Sequence, residues 1–223
     1  MDPSRKSIYL TVAGTLLLVL LSVAMFVHKL TAPRVMSNAE LQLNGAYVFD
    51  KPRIIEPLQL LDQDGKPFTL ENLQQRWSLV FFGYTYCPDI CPTTMADLKK
   101  FWALLEDTPW REDTQVILAT VDPGRDTPDK LRGYVRYFDE SFVGITGDFM
   151  QLQSFARNLN AAFTKVPGGT ADAYLVDHTP NIALINPYGH YHGFFKPAKA
   201  PGGMFDAGML KLTYQSIRAS FDG

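Results

Sequence analysis

The sequence predicts an α/β domain behind a single N-terminal membrane helix, and three observations carry that reading. Ile8 to Val27 is a run of 20 residues without a charge, long enough to span a bilayer. Short apolar runs, Leu79–Phe82 and Gln115–Val121, alternate with segments of helical spacing, the order of a sheet whose strands are joined by helices. Both cysteines fall in one stretch, Gly83-Tyr84-Thr85-Tyr86-Cys87-Pro88-Asp89-Ile90-Cys91-Pro92-Thr93-Thr94, where such a strand passes into a helix. The carboxyl end of a sheet strand is where α/β proteins usually place their chemistry.

Composition bounds the function classes. The 223 residues are 46% hydrophobic and 20% charged with a net charge of −2, and no basic stripe is present, which excludes nucleic acid as a partner. The length divides into a tail (1–7), an anchor (8–27), a juxtamembrane tether (28–49) and one domain (50–223). A cleaved signal peptide is the competing reading of the anchor, with Ser22-Val23-Ala24 as the small-residue site. The apolar run passes through that site unbroken, which favours an uncleaved anchor. Arg5 and Lys6 precede the span while Lys29 and Arg34 follow it, so the positive-inside rule gives a tie on orientation.

The elements follow in order. The polar segment from Thr31, with Pro33 and Asn38, reads as the tether, and Gly45–Arg53 as an edge strand or arm. Pro57–Phe68 reads as a hairpin turning at Asp64-Gly65, and Glu71–Gln75 as a short helical turn. Leu79-Val80-Phe81-Phe82 is apolar on both faces, as a central strand must be. Met95, Leu98, Phe101, Trp102 and Leu105 then repeat at helical spacing over Pro92–Glu106. Beyond the strand Gln115–Val121, the turn Asp122-Pro123-Gly124-Arg125-Asp126-Thr127-Pro128 leads into a helix over 129–138, capped by Asp126 or Thr127. A strand at 142–146, a helix from Asp148 to about Asn160 and a loose glycine-rich segment (166–172) come next. Strands at 174–176, 182–185 and 191–195 follow, with a turn at Asn186-Pro187-Tyr188-Gly189, and a final amphipathic helix covers 205–220. Strands alternating with helices, then a hairpin and a last helix, give a thioredoxin-like order.

Pro92 disfavours helical backbone at Cys91 but suits a first helical turn, so Cys91 is expected as the N-cap with Cys87 in the loop before it. Cysteines within one continuous helical turn would hold their Cβ atoms about 5–6 Å apart, whereas a disulfide wants roughly 3.5–4.5 Å. A looped Cys87 can close that gap or turn both sulfurs toward one ion. The positive helix terminus is expected to favour the thiolate of Cys91, and the thiolate is both nucleophile and metal ligand. A purely structural bridge over so small a loop would gain little. His178, in Val176-Asp177-His178-Thr179-Pro180, falls beside the cysteine loop in a thioredoxin-like order, with Pro180 a candidate cis-proline.

The cysteine stretch, Val121-Asp122-Pro123-Gly124-Arg125-Asp126-Thr127-Pro128, Phe142-Val143-Gly144-Ile145-Thr146-Gly147 and Tyr174-Leu175-Val176-Asp177-His178-Thr179 together resemble the Sco/SenC family of copper-binding cytochrome oxidase assembly proteins. The resemblance covers roughly residues 50–220. It implies a membrane-tethered thioredoxin-like domain on the outer side of the bacterial inner membrane (alternatively the mitochondrial one), with the C-terminal domain in the periplasm. It implies that Cys87, Cys91 and His178 are copper ligands, for Cu(I), Cu(II) or both. The implied role is a metallochaperone for the CuA site of the oxidase copper subunit. Other copper chaperones or a thioredoxin-like reductant are further implied partners. Two thiolates suit Cu(I) and an imidazole supports Cu(II), although the same set can hold zinc. The alternative function is a thiol-disulfide reductase acting on that subunit through the Cys87–Cys91 redox pair. In neither case is a typical enzyme implied. A peroxidase would need Thr-x-x-Cys, whereas Thr85 lies two before Cys87.

Tyr86 stands where the family commonly has a histidine. Asp177 is expected to orient His178, to assist copper entry, or simply to be a solvated acid. His190 and His192 are expected on a surface hairpin, Met95 in the core, and Asp122, Arg125 and Asp126 as loop-formers first and ion-pairing or docking residues second.

Overall fold

The computed structural model describes residues 3–31, 35–166, 174–197 and 204–221. Pro33, Arg34 and most of the expected glycine-rich segment lie outside the described residues. Helix α1 (Pro3–Thr31) contains the apolar stretch Ile8–Val27, with a mean hydropathy of 2.5 and no part of it buried. By length and composition it can cross a membrane.

Helix α2 (Asn38–Leu43) opens on a capping box, in which Ser37 receives the Glu40 amide and Glu40 reaches back to the Ser37 amide. Its Leu41 joins the hydrophobic core, and the Met36 amide donates to Ser216 Oγ (2.6 Å). The stretch expected to be a tether is therefore docked from Met36 onward. A buried leucine and a satisfied amide hold it, where sequence polarity alone indicated solvent.

The strands are β1 (Ala46–Ile54), β2 (Leu60–Asp62), β3 (Pro67–Phe68), β4 (Trp77–Gly83), β5 (Thr114–Thr120), β6 (Val143–Thr146), β7 (Phe163–Val166), β8 (Leu175–His178), β9 (Ile182–Ile185) and β10 (His190–Phe195). Among the described residues, eight form one sheet in the order β1-β10-β9-β4-β5-β6-β2-β3. β4 runs parallel to β5, and β5 to β6, while β9 is antiparallel to β4. All seven residues of β4 are buried, as its two-faced apolar run requires of a central strand. β1 takes the edge among the described residues and carries Pro52 in the irregular stretch between Val48 and Arg53, where the ladder to β10 is interrupted. The Asp64-Gly65 turn forms as expected, with Gly65 at φ +74°.

Helices α3 (Ile90–Leu104), α4 (Pro128–Phe138), α5 (Phe149–Asn158) and α6 (Ala207–Ala219) complete the domain. Thr127, Asp148 and Asp206 cap α4, α5 and α6, each accepting an amide of the first turn. α3 packs against α6 and α4 against β6. This is a thioredoxin-like mixed α/β fold.

β7 goes beyond the sequence expectation. It pairs with β8 in a separate two-stranded sheet, setting Phe163 opposite His178. His192 departs from its expected surface position. It is 8% exposed, edge-on to Trp77 (5.2 Å) and Phe221 (5.4 Å), and burial lowers its pKa to about 4, so the ring is neutral. The register irregularity between Tyr191 and Gly193 and the returning C-terminus enclose it. Met95 is fully buried in the core, as expected.

Truncating Leu41 tests the docking of the juxtamembrane segment. Leu41→Ala in the full chain in detergent micelles should lose about 2–5 kcal/mol in chemical denaturation. A loss within about 0.5 kcal/mol, as for an ordinary surface site, would show that the segment is a tether after all.

Candidate metal centre

The site begins where β4 ends. Gly83 has no side chain, and a Cβ there would lie 3.2 Å from Cys91 Sγ, 2.9 Å from the Phe81 ring and 3.1 Å from Leu118. The vacant position is what lets the Cys91 sulfur sit against the strand end. The chain then turns through Thr85–Pro88 and enters α3 at Ile90, with Asp89 as its N-cap. Cys91 is therefore inside the first turn rather than at the cap. Pro92 is accommodated one residue later, where a missing N–H costs nothing because first-turn amides lack helical partners. Cys87 lies in the loop, as expected.

Cys91 is buried and Cys87 half-buried, and both are free thiols. The Cys91 amide donates to Cys87 Sγ at 3.4 Å. His178, at the end of β8, brings Nε2 to 3.3 Å from Cys91 Sγ. The two sulfurs and a ring nitrogen lie within 4.8 Å of one another. Histidine Nδ1 faces the Thr179 carbonyl at 3.3 Å, and an acceptor-only partner assigns the proton to that nitrogen. Nε2 is then free to accept or ligate. Phe81 and Tyr84 meet the imidazole edge-on at 5.7 and 6.2 Å, walling it on the protein side.

The thiols divide unequally. The hydrogen bond from Cys91 lowers the pKa of Cys87 to about 4, with further help from the Asp89 and Cys91 backbone amides, against the opposing effect of burial. Cys91 is pushed well up by that same bond with Cys87, by burial and by the adjacent negative sulfur. Nearness to the helix terminus predicts the thiolate on Cys91. The structure reverses this, because the helix amide points at Cys87 and Cys91 is the sulfur cut off from water.

The remaining residues divide similarly. Tyr86 is half exposed, with Lys130 Nζ 4.6 Å from its ring centroid. Asp177 is exposed beside His178 and helps line a shallow groove with Thr164 and Thr179. The Thr179-Pro180 bond is trans, in contrast to the cis candidate. His190 lies apart in β10, beside Tyr188. Asp122 and Asp126, expected as loop-formers, are both fully buried. Their only sequence signal was a pair of acids flanking Arg125 immediately after a buried strand.

With this geometry in place, likeness to known proteins decides the lineage. The SCO1/SenC family model matches residues 49–207. The chain belongs to the SCO1/SenC family. A Stutzerimonas stutzeri protein named for copper binding is 39% identical over 166 residues, spanning 74% of this chain and 80% of that one. Protein SCO2, mitochondrial, of Saccharomyces cerevisiae is 32% identical over 179 residues, 80% of this chain and 59% of its own length. Among solved structures, Arabidopsis thaliana ScoI with copper bound is 30% identical at a TM-score of 0.63, covering 74% of this chain and 98% of that one. Bradyrhizobium japonicum ScoI with copper bound is 31% identical at 0.61, covering 71% and 99%. BsSco, described as a member of the Sco family of cytochrome c oxidase assembly proteins with a disulfide switch, shares the fold at 23% identity and a TM-score of 0.56, covering 76% of this chain and 97% of that one.

The unequal thiols make a pH prediction. Because the folded pKa of Cys87 lies below the ordinary value of about 8.5, its thiolate persists at neutral pH and is lost only as pH falls through about 4. Alkylation of the reduced, metal-free chain should hold its neutral rate on acidification, fall with a midpoint near 4, and modify Cys87 first. A midpoint near 8.5, or first modification at Cys91, would contradict the assignment.

Proposed function

We propose that this chain is a membrane-anchored copper carrier that holds one ion on Cys87, Cys91 and His178. Its recipient is the copper-containing subunit of cytochrome c oxidase, at the CuA site. The convergence of two sulfurs and one free imidazole nitrogen within 4.8 Å carries the reading. The copper-bound relatives and the family's link to oxidase assembly support it.

Copper is the cargo here, and the residues fit its handling. Soft sulfurs hold Cu(I), and the imidazole extends the set to Cu(II). Cys87 meets the ion already as a thiolate, whereas Cys91 must release a proton as it binds, which makes loading pH-dependent. Nε2 of His178 needs no tautomer change, because the Thr179 carbonyl holds the proton on Nδ1. Three protein donors leave a coordination position for a recipient's ligand, so the ion can pass by ligand exchange. α1 supplies the anchor, with the domain on the periplasmic side of a bacterial inner membrane. Copper donors and a thioredoxin-like reductant complete the partner set.

A second reading, reduction of the recipient's disulfide, is favoured by the same unequal thiols. Cys87 thiolate would attack a disulfide sulfur and expel the partner's thiolate. Cys91 would then give up its proton and displace the second partner sulfur, closing the Cys87–Cys91 disulfide and leaving the partner reduced.

Anaerobic Cu(I) titration of the reduced full chain in detergent micelles separates the readings. The carrier predicts tight one-to-one binding, none by the disulfide form, and a loss of at least about a hundredfold in His178→Ala, more than the loss of a residue supporting a ligand would cost. Unchanged affinity in His178→Ala would overturn the three-ligand site. Absence of tight binding, together with fast disulfide exchange, would favour the reductase.

A further inference from the structure

We propose that the turn Asp122–Asp126, between β5 and α4, is the positioning element that sets the spacing between the cysteine pair and His178. The inference rests on the copper-site reading above and deepens it. The ligands arrive on two segments whose alignment is not guaranteed by the main sheet. The cysteine loop leaves the end of β4, whereas His178 is carried by the β7–β8 hairpin, a two-stranded sheet of its own. Both segments converge on this one turn.

Asp126 holds the cysteine side. Its carboxylate accepts the Thr85 amide (3.0 Å), the Thr85 hydroxyl (2.6 Å) and the Thr120 hydroxyl (2.7 Å), fixing the chain two residues before Cys87. Asp122 holds the histidine side. It accepts the Tyr174 hydroxyl at 2.6 Å, four residues before His178, and pairs through its other oxygen with Arg125 Nε. Arg125 ties the two together. Its guanidinium carbon lies 3.7 Å from the Tyr174 ring centroid, 4.9 Å from that of Tyr86 beside Cys87, and 5.8 Å from that of Tyr84.

Arg125 Nη2 is buried without a hydrogen-bond partner among the described residues, so tyrosine faces rather than oxygens receive this part of its charge. Tyr84 adds a cross-link, since its buried hydroxyl accepts the Val176 amide at 3.1 Å in the middle of β8. The charged side chains of this turn thus contact the two ligand-bearing segments. A turn serving only to reverse the chain would not need two fully buried carboxylates. Loosening the histidine side should let His178 drift from the sulfurs while leaving the cysteines in place.

Two variants of the full chain in detergent micelles test this. Tyr174→Phe keeps a ring for Arg125 but loses the hydroxyl on Asp122. Arg125→Lys keeps the charge but loses the planar stacking and fork. In the reduced, metal-free protein each should speed hydrogen exchange of the Val176 amide about tenfold, with the β9 amides unchanged. After Cu(II) loading, each should weaken the imidazole nitrogen hyperfine coupling in the electron paramagnetic resonance spectrum while retaining sulfur-to-copper charge transfer. Unchanged Val176 exchange in both variants, or equal acceleration in β9, would overturn the proposal. If the wild-type chain binds no copper, the carrier reading fails, whereas the metal-free exchange result still decides the role of the turn.

Discussion

Cys91 loses contact with water because β4 ends in Gly83, whose missing side chain leaves the space that the sulfur occupies. That steric fact depends on the rest of the domain. β4 can end there only because β5 and β9 flank it and its faces are covered, with Phe82 reaching Phe155 of α5 and Phe81 reaching His178. α3 begins where it does because the loop turns back over this strand end. The buried sheet therefore fixes the Cys91 sulfur, and the more exposed Cys87 and His178 approach it from the loop and the hairpin.

The chemistry follows from that asymmetry. A buried sulfur beside a more exposed one cannot readily share its negative charge, so the first proton is lost from Cys87 and Cys91 keeps its own. The helix amide at Cys87 reinforces the division. Such a pair is poised for two exchanges that use the same atoms, with a metal ion or with a disulfide. The imidazole distinguishes them, because thiol exchange needs two sulfurs whereas a three-donor copper site also needs His178 Nε2 at its observed 3.3 Å from Cys91.

Most of the architecture was legible in the sequence because it is written in local patterns. The two-faced apolar run at Leu79–Phe82, the helical spacing after Pro92 and the Asp64-Gly65 turn each act over a few residues. His178 became legible through element order and family resemblance, since a lone histidine carries no local mark. What stayed hidden depends on contacts distant in the chain. Which cysteine is acidic depends on which sulfur β4 buries. Asp126 is buried because Thr85, 41 residues away, donates to it. His192 is enclosed by Trp77 and Phe221, and the supposed tether is docked by Leu41 and Ser216.

The most direct measurement of the central claim is the copper-edge X-ray absorption spectrum of the copper-loaded full chain. The account predicts a coordination shell of two sulfurs and one imidazole nitrogen, with the imidazole multiple-scattering features lost in His178→Ala. A shell without sulfur, or one that His178→Ala leaves unchanged, would contradict it.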